Sequence, residues 1–283
     1  MTVIIPTIGR EMLIDCLQSI SNGHAMPAVL IVVDQGRKAE LESSIRRHDW
    51  KGLVVTYVPS NEQGRAAALN CGLKLVRTRF FAFTDDDCLV DPNWISAMHD
   101  MLLENSGSVI TGRVMPEGDG RPVATVTAME PAKYCRPSLI LDPLAGGNMG
   151  ASMATIERVG FFDEDALLRT AEDCEWSYRV LSAGVSIIYS PGVVVKHRSW
   201  RNSEGQIEQY DRYARSHGAF YGKYLRRGDL FIALRVLVHL IRALKRWLLG
   251  AIRGDEDRAR NGRAYCAQLL PGIWDSVRGD VRH

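Results

Sequence analysis

Apolar and polar positions along residues 1–105 follow two periods in turn. "TVIIPT" (2–7), "AVLIVVDQG" (28–36), "LVVTYVPS" (53–60) and "RFFAFTD" (79–85) are short β-branched or aromatic runs that end in turn residues, which predicts buried strands. "REMLIDCLQSI" (10–20) sets Met12, Leu13, Cys16, Leu17 and Ile20 at helical spacing, and "KAELESSIRRH" (38–48) does so with Leu41 and Ile45. "GRAAALNCGLKLV" (64–76) predicts an alanine-rich helix opened by glycine, and "NWISAMHDMLLEN" (93–105) a helix entered through Pro92. Strands and helices alternating over short links predict a mostly parallel α/β sheet with helices on both faces. In such sheets, ligands bind beyond the carboxyl ends of the strands. Thr7, Asp34 and Asp85–Asp87 all follow strand ends, so they are expected to meet in one cleft.

The second half is less regular. "SVITGRVMP" (108–116) predicts a strand, and residues 117–145 match neither period. "LAGGNMGASMATIERVG" (144–160) reads as a glycine-rich turn leading into a helix. "TAEDCEWSYRVLSAG" (170–184) reads as a helix with acids in its first turn and Gly184 at its end, and "VSIIYSPGVVVKH" (185–197) as two short strands. Beyond His197 the chain turns polar, then helical and basic, which sets a domain boundary near residue 203.

Composition narrows the classes. A net charge of +2 over 283 residues leaves no global electrostatic pull toward nucleic acid. Six scattered cysteines without a CxxC pair read as reduced thiols in a cytosolic protein. The start, "MTVIIPTIGR", has no basic n-region, and no 18-residue apolar stretch lacks a charge, so neither a signal peptide nor a membrane-spanning helix is expected.

Several polar clusters carry candidate chemistry, each beside a plainer reading. Asp85, Asp86 and Asp87 adjoin at a strand end. Adjacent like charges need a cation or strong hydrogen bonding, so the triplet is either a capped, solvated loop or a site for a hard divalent ion such as Mg²⁺ or Mn²⁺. Asp34 is a turn acid or an acceptor for a ribose or base, although "PTIGRE" is not the GxGxxG turn of dinucleotide dehydrogenases. Arg65 is a surface arginine or a fork for a base edge or phosphate. "GGNMGAS" (146–152) is a tight turn or a close backbone approach to a bound group. Glu172 and Asp173 are helix-start charges or hold a general base, and His197 is a solvated imidazole or a further metal ligand.

Taken in order, "VIIPTIGR", "IVVDQG", "NEQGRAAALNCGL", "FFAFTDDDC", "GGNMGAS", "FFDEDALLRTAEDCEWSYRVLSAG" and "VVVKH" resemble the family 2 glycosyltransferases with the GT-A fold, over roughly residues 1–200. The resemblance implies transfer of a sugar, with inversion, from a UDP, GDP or dTDP donor to a hydroxyl acceptor. The expected catalytic domain is 1–202, with a nucleotide half of about 1–115 and an acceptor half of about 116–202, followed by a basic amphipathic helical region over 203–283. By position, Pro6, Thr7, Arg10, Asp34 and Arg65 would hold the nucleoside, Asp85 the ribose, and Asp87 with His197 a Mn²⁺ or Mg²⁺ ion. Asp86, Gly147 and Asn148 fall in the donor segments, and Asp173, with Glu172 beside it, matches the catalytic base. Members often follow "GGN" with an apolar residue and an arginine. Here Met149 to Ser152 follow, without arginine, and Arg198 or Arg201 is the candidate substitute. A sugar-nucleotide nucleotidyltransferase and a non-catalytic membrane adaptor are the other classes. The first calls for a basic glycine-rich loop after the first strand, and the second is hard to square with intact Asp85, Asp87 and Asp173.

Residues 230–253 place Arg235, His239, Arg242, Arg246 and Arg253 on one helical stripe, with Leu, Ile, Val, Phe and Trp247 on the rest. That pattern is an interfacial membrane helix or a helix packed on the catalytic domain. The membrane reading, over residues 228–253, gives a peripheral protein on the inner face of the membrane with a lipid-linked or surface-glycan acceptor.

Overall fold

The structure, a computed structural model, describes residues 1–37, 39–118, 125–198 and 203–279, with the side chains of 203–207 excepted. Lys38 of the second predicted helix and Arg201 of the substitute pair lie outside the described residues.

The first half folds as its periods predict. The strands are β1 (Thr2–Thr7), β2 (Val29–Asp34), β3 (Val55–Pro59) and β4 (Phe80–Thr84), and the helices α1 (Met12–Ser21), α2 (Ala39–Arg47), α3 (Arg65–Leu75) and α4 (Trp94–Glu104). β1, β2, β3 and β4 pair in parallel, in the order β3-β2-β1-β4. Both faces of β1, β2 and β4 are covered, with alternate residues serving opposite cores, whereas β3, expected as a buried strand, lies at the sheet edge and has no fully buried residue. Val3, Ile5, Leu30, Val32, Phe80 and Ala82 pack with Leu13, Leu17, Trp94 and Met98 on one side. Ile4, Ile31, Val33, Phe81 and Phe83 pack with Leu69 and Leu73 on the other.

The rest of the sheet is mixed where the sequence periods failed. β5 (Cys88–Val90), β6 (Val109–Glu117), β7 (Ala132–Tyr134), β8 (Asn148–Ser152) and β9 (Ile187–Arg198) complete it, with α5 (Met153–Val159) and α6 (Glu172–Ser182). β5 and β7 pair antiparallel to β9, and β6 pairs with β9 in parallel. β8 runs antiparallel to β4 and β6 in the middle of the sheet. The expectation of a tight turn over 146–152 is therefore corrected, because residues 148–152 form a buried strand. Gly150 is there for close packing: a Cβ would lie 2.8 Å from Met98 Sδ and 2.9 Å from Phe81 O.

A second correction concerns 185–197, which is one strand rather than two. β9 pairs in parallel with β6 along its length but slips: Gly112 pairs with Ser190, while the next residue, Arg113, pairs with Val194. The extra residues reset the alternation. Ile187 accordingly serves the α3 side, whereas Val193 and Val195 serve the α1 side.

The chain divides into two compact units. One comprises Met1–Arg136, Pro143–Phe162 and Trp176–Trp200 and contains the sheet; the other comprises Pro137–Asp142, Asp163–Glu175 and Arg201–His283. In the second unit, α7 (Ser203–Leu225) and α9 (Glu256–Gly279) meet backbone to backbone at glycines. A Cβ on Gly218 would fall 2.1 Å from Leu269 O, and one on Gly272 2.0 Å from Arg215 O. α8 (Leu230–Arg253) starts at Asp229, which accepts a hydrogen bond from Ile232 N, and ends at left-handed Gly254. Most of its basic stripe turns inward: Arg235 is 3% exposed and His239, Arg242 and Arg246 are half-buried, while Arg253 at the end of the helix is exposed. Leu230, Leu234, Leu237, Ile241, Leu244, Leu248 and Ile252, spaced by three and four, are all exposed on the opposite side. Among the described residues no helix is long and apolar enough to cross a membrane.

Candidate functional site

The three acids share two arginine partners, Arg10 and Arg65, supplied from different parts of the first unit. β1 and β4 pair with Ile4 opposite Phe83. Continued three residues further, that register sets Thr7 opposite Asp86, and Thr7 Oγ1 donates to Asp86 Oδ2 at 2.6 Å. Arg10, just past β1, reaches Asp86 at 3.2 Å and Asp87 at 2.8 Å. Arg65, at the start of α3, reaches Asp85 at 2.9 Å, and its other arm donates to Gly146 O at 2.7 Å. Neighbouring like charges are thereby neutralised by arginines distant in sequence. Asp86 is 1% exposed, and its burial lifts its carboxyl to about 6 against the pull of Arg10 and Thr7. It fastens the ends of β1 and β4 together.

Asp34 ends β2 beside Thr7, its register partner. Its two oxygens accept from Gly36 N at 2.8 Å and from Tyr57 Oη at 2.7 Å. Burial first, and then Asp34, push the Tyr57 hydroxyl well above its ordinary range, so it stays protonated and donates. Tyr57 escaped the sequence reading; its signal was an aromatic residue in β3, one strand over from the acid. Pro6 is buried within β1, where it pairs with Val33.

Gly147 and Asn148 have different tasks. A Cβ on Gly147 would lie 2.7 Å from Asp85 Oδ2, so the carboxylate occupies the space that any side chain would fill. The Asn148 carboxamide is committed inside the sheet. It accepts from Trp94 Nε1 at 2.8 Å and donates to Arg113 O and Val193 O at 2.8 and 2.9 Å. With no exposed surface, it ties β8 to β6, to α4 and to the slip in β9. Its amide is thus turned away from the donor role that the resemblance implies.

Asp87, Cys88 and His197 bring a carboxylate oxygen, a thiol and an imidazole nitrogen within 4.8 Å of one another. Cys88 pairs with His197 across β5 and β9, and His197 Nε2 lies 3.5 Å from Asp87 Oδ1. Burial, and then Asp85 and Asp87, hold the Cys88 thiol well above its ordinary range, so it remains a neutral, poor donor to a hard ion. Cys16, which donates to Asp85 O at 3.4 Å, is held up by burial and the same acids. The donor set that remains, one carboxylate and one imidazole, fits Mn²⁺ or Mg²⁺ completed by phosphate and water oxygens. Arg198, which follows His197, donates its backbone N–H to Asp87 O, and its guanidinium pairs with Asp15 at 2.6 Å.

Glu172 and Asp173 open α6 in the second unit. Glu172 is 4% exposed, and Asp173 accepts from the backbone N–H of Cys174 at 2.8 Å.

Residues 2–141 match the family model described as Glycosyl transferase family 2. The chain is 23% identical over 251 residues to the hyaluronan synthase of Pasteurella multocida, covering 74% of this chain and 25% of that protein. It is 26% identical over 205 residues to the pre-mycofactocin glycosyltransferase of Mycobacterium tuberculosis (strain CDC 1551 / Oshkosh), covering 68% and 40%. The chain thus spans between a quarter and two fifths of the length of these relatives. Among solved structures, it is similar to the mannosyltransferase PcManGT from Pyrobaculum calidifontis in complex with GDP-Man and Mn²⁺, with a TM-score of 0.61, 16% identity, and 99% of this chain and 86% of that one covered. It is also similar to S. aureus TarS 1–349 in complex with UDP-GlcNAc, with a TM-score of 0.57, 17% identity, and 93% and 90% covered. The likeness to these two structures is one of fold, the GT-A arrangement of a mixed sheet flanked by helices.

Proposed function

From the premise that the chain belongs to glycosyltransferase family 2, we propose that it moves a sugar, with inversion, from a nucleoside diphosphate donor to a hydroxyl acceptor. The observation that carries this reading is the meeting, at the carboxyl ends of β1, β2 and β4, of Thr7, Arg10, Asp34 and Asp85–Asp87 with Arg65. This is the position where open α/β sheets take their ligands.

In this reading, Pro6, Thr7, Arg10, Asp34 and Arg65 hold the nucleoside, and Asp85, fixed by Arg65 and given room by Gly147, accepts from the ribose. Asp87 and His197 hold the divalent ion. When bound, that ion supplies Lewis-acid stabilisation of the charge that grows on the departing diphosphate. Asp173 takes the proton of the acceptor hydroxyl as it attacks the anomeric carbon, a general-base contribution of roughly 10²–10⁴-fold. Asp86 and Asn148 act through the fold rather than on the donor. The exposed apolar stripe of α8 supports a peripheral place on a membrane surface, and with it a lipid-linked or surface-glycan acceptor.

A panel of UDP, GDP and dTDP, each with and without Mn²⁺, tests this reading by thermal denaturation. One diphosphate should raise the midpoint, and only with the metal present. A response confined to nucleoside triphosphates would replace glycosyl transfer with nucleotidyl transfer.

A further inference from the structure

The second unit contains a cavity of about 150 Å³, lined in part by Arg235, Arg242 and Arg246 from one face of α8. The charges there do not cancel. Arg235 is paired with Asp142 at 2.6 Å, and His217 approaches the other oxygen of the same carboxylate at 3.7 Å. Burial alone would raise the Asp142 carboxyl, but His217 and Arg235 hold it below its ordinary value, so Asp142 stays ionised and already spoken for.

Arg242 donates to the carbonyl of Ile140, and Arg246 to Asn261 Oδ1 at 2.8 Å. Both are neutral acceptors, and among the described residues neither arginine pairs with a carboxylate. Burial, and then Arg242, disfavour the charge on Arg246, as expected where cations gather without a counter-ion. His239, also in the lining, is half-buried and neutral and shares a 2.9 Å hydrogen bond with Tyr221.

Size restricts what enters. A water occupies about 30 Å³ of liquid, so the cavity has room for roughly five, whereas drug-sized ligands need about 300–1,000 Å³. A phosphate or diphosphate group fits, and a whole sugar nucleotide does not. Arginine forks match phosphate oxygens two at a time.

The cavity also lies beside the proposed base. Asp142 lines it, and its carboxylate is within 4.8 Å of the Cys174 thiol, one residue beyond Asp173 in the first turn of α6. We propose that the cavity is an anion site for a phosphate or diphosphate group carried by the acceptor, gripped by Arg242 and Arg246 with Arg235 fixed beside them. This assignment to the acceptor rests on the glycosyl-transfer reading; the anion site itself does not.

Titration calorimetry of the full chain with pyrophosphate, in chelator, tests the site. Arg242→Gln with Arg246→Gln should weaken binding roughly tenfold or more, because charge-assisted hydrogen bonds are lost. The Mn²⁺-dependent response to nucleoside diphosphate should be unchanged in the same variant. Arg242→Lys with Arg246→Lys, which keeps the charge and loses the fork, should fall between the two and serves as the readout if the glutamine variant does not fold. Equal binding by wild type and variants overturns the site, as does a wild type that binds neither pyrophosphate nor phosphatidate in phosphatidylcholine vesicles. Vesicle binding displaced by pyrophosphate supports the site with a lipid-borne group, and pyrophosphate binding without any preference for phosphatidate vesicles supports it with a soluble one. If nucleoside diphosphate has no effect while pyrophosphate binding still depends on the arginines, the anion site stands and its assignment to an acceptor falls.

Discussion

Arg10 Nη1 lies 2.8 Å from Asp87 Oδ2, while His197 approaches the other oxygen of the same carboxylate. The guanidinium thus occupies one side of the acid proposed to hold the ion, and the imidazole marks the other. Asp87→Ala should abolish the Mn²⁺-dependent rise in melting temperature caused by nucleoside diphosphate. Arg10→Gln should instead leave a larger rise with Mn²⁺ alone, because the metal then neutralises acids that the arginine otherwise serves. An unchanged diphosphate response in Asp87→Ala would remove the metal assignment.

Asp173→Asn keeps the shape of the side chain and removes its basicity. Donor-induced stabilisation should persist while transfer falls by roughly 10²–10⁴-fold. Turnover near the wild-type rate, followed by release of nucleoside diphosphate, would exclude it as the base.

Asn148→Ala should behave as a fold mutation. Three buried hydrogen bonds disappear, and their partners, Trp94 Nε1, Arg113 O and Val193 O, lose a partner. The expected loss is on the order of 3 kcal/mol, read as a lower denaturant midpoint, with the donor KM of the folded fraction unaltered. A raised donor KM at unchanged stability would return Asn148 to the binding site.

His239 sets a pH dependence. Its burial first, then His217 and Arg246, lower it from 6.5 to about 3. Above pH 6.5 both folded and unfolded forms are neutral. Below it the unfolded chain takes up a proton that the folded one refuses, so stability falls from pH 6.5 toward 3. Between pH 6.5 and 5 the loss is roughly 2 kcal/mol, and His239→Gln should remove that slope from a series of chemical denaturation curves. Parallel slopes in the two proteins would mean that the imidazole is already charged when folded.

The α8 stripe is testable without shortening the chain. Leu237→Ser with Ile241→Ser replaces two exposed apolar residues, 55% and 58% accessible, and should leave the fold intact. Flotation with anionic liposomes should drop in the variant. Equal flotation would detach membrane contact from this helix.

The sequence was most legible where each strand is buried on both faces and short helices follow. Val3 and Ile4 point to opposite cores, and the run they belong to is simply apolar. It was least legible in β8, because Gly146, Gly147 and Gly150 look like turn residues, whereas Gly150 is in a strand pressed against Phe81 O. β9, expected as two short strands, runs through Pro191 and Gly192 as one, and the slip between Ser190 and Val194 puts Ile187 and Val193 on opposite cores. The acids could be located by their place after β4, but not their partners. Arg10 and Arg65 lie 77 and 20 positions from the acids they reach, and only folding joins them.

α8 has a practical consequence. A helix that turns Arg235 inward and a row of leucines and isoleucines from Leu230 to Ile252 outward should make the whole protein surface-active. It should adsorb to plastic and to the air–water boundary, elute late from hydrophobic resins, and self-associate as concentration rises. A mild detergent in the buffer should sharpen the calorimetric and thermal-denaturation curves, which are measured without vesicles.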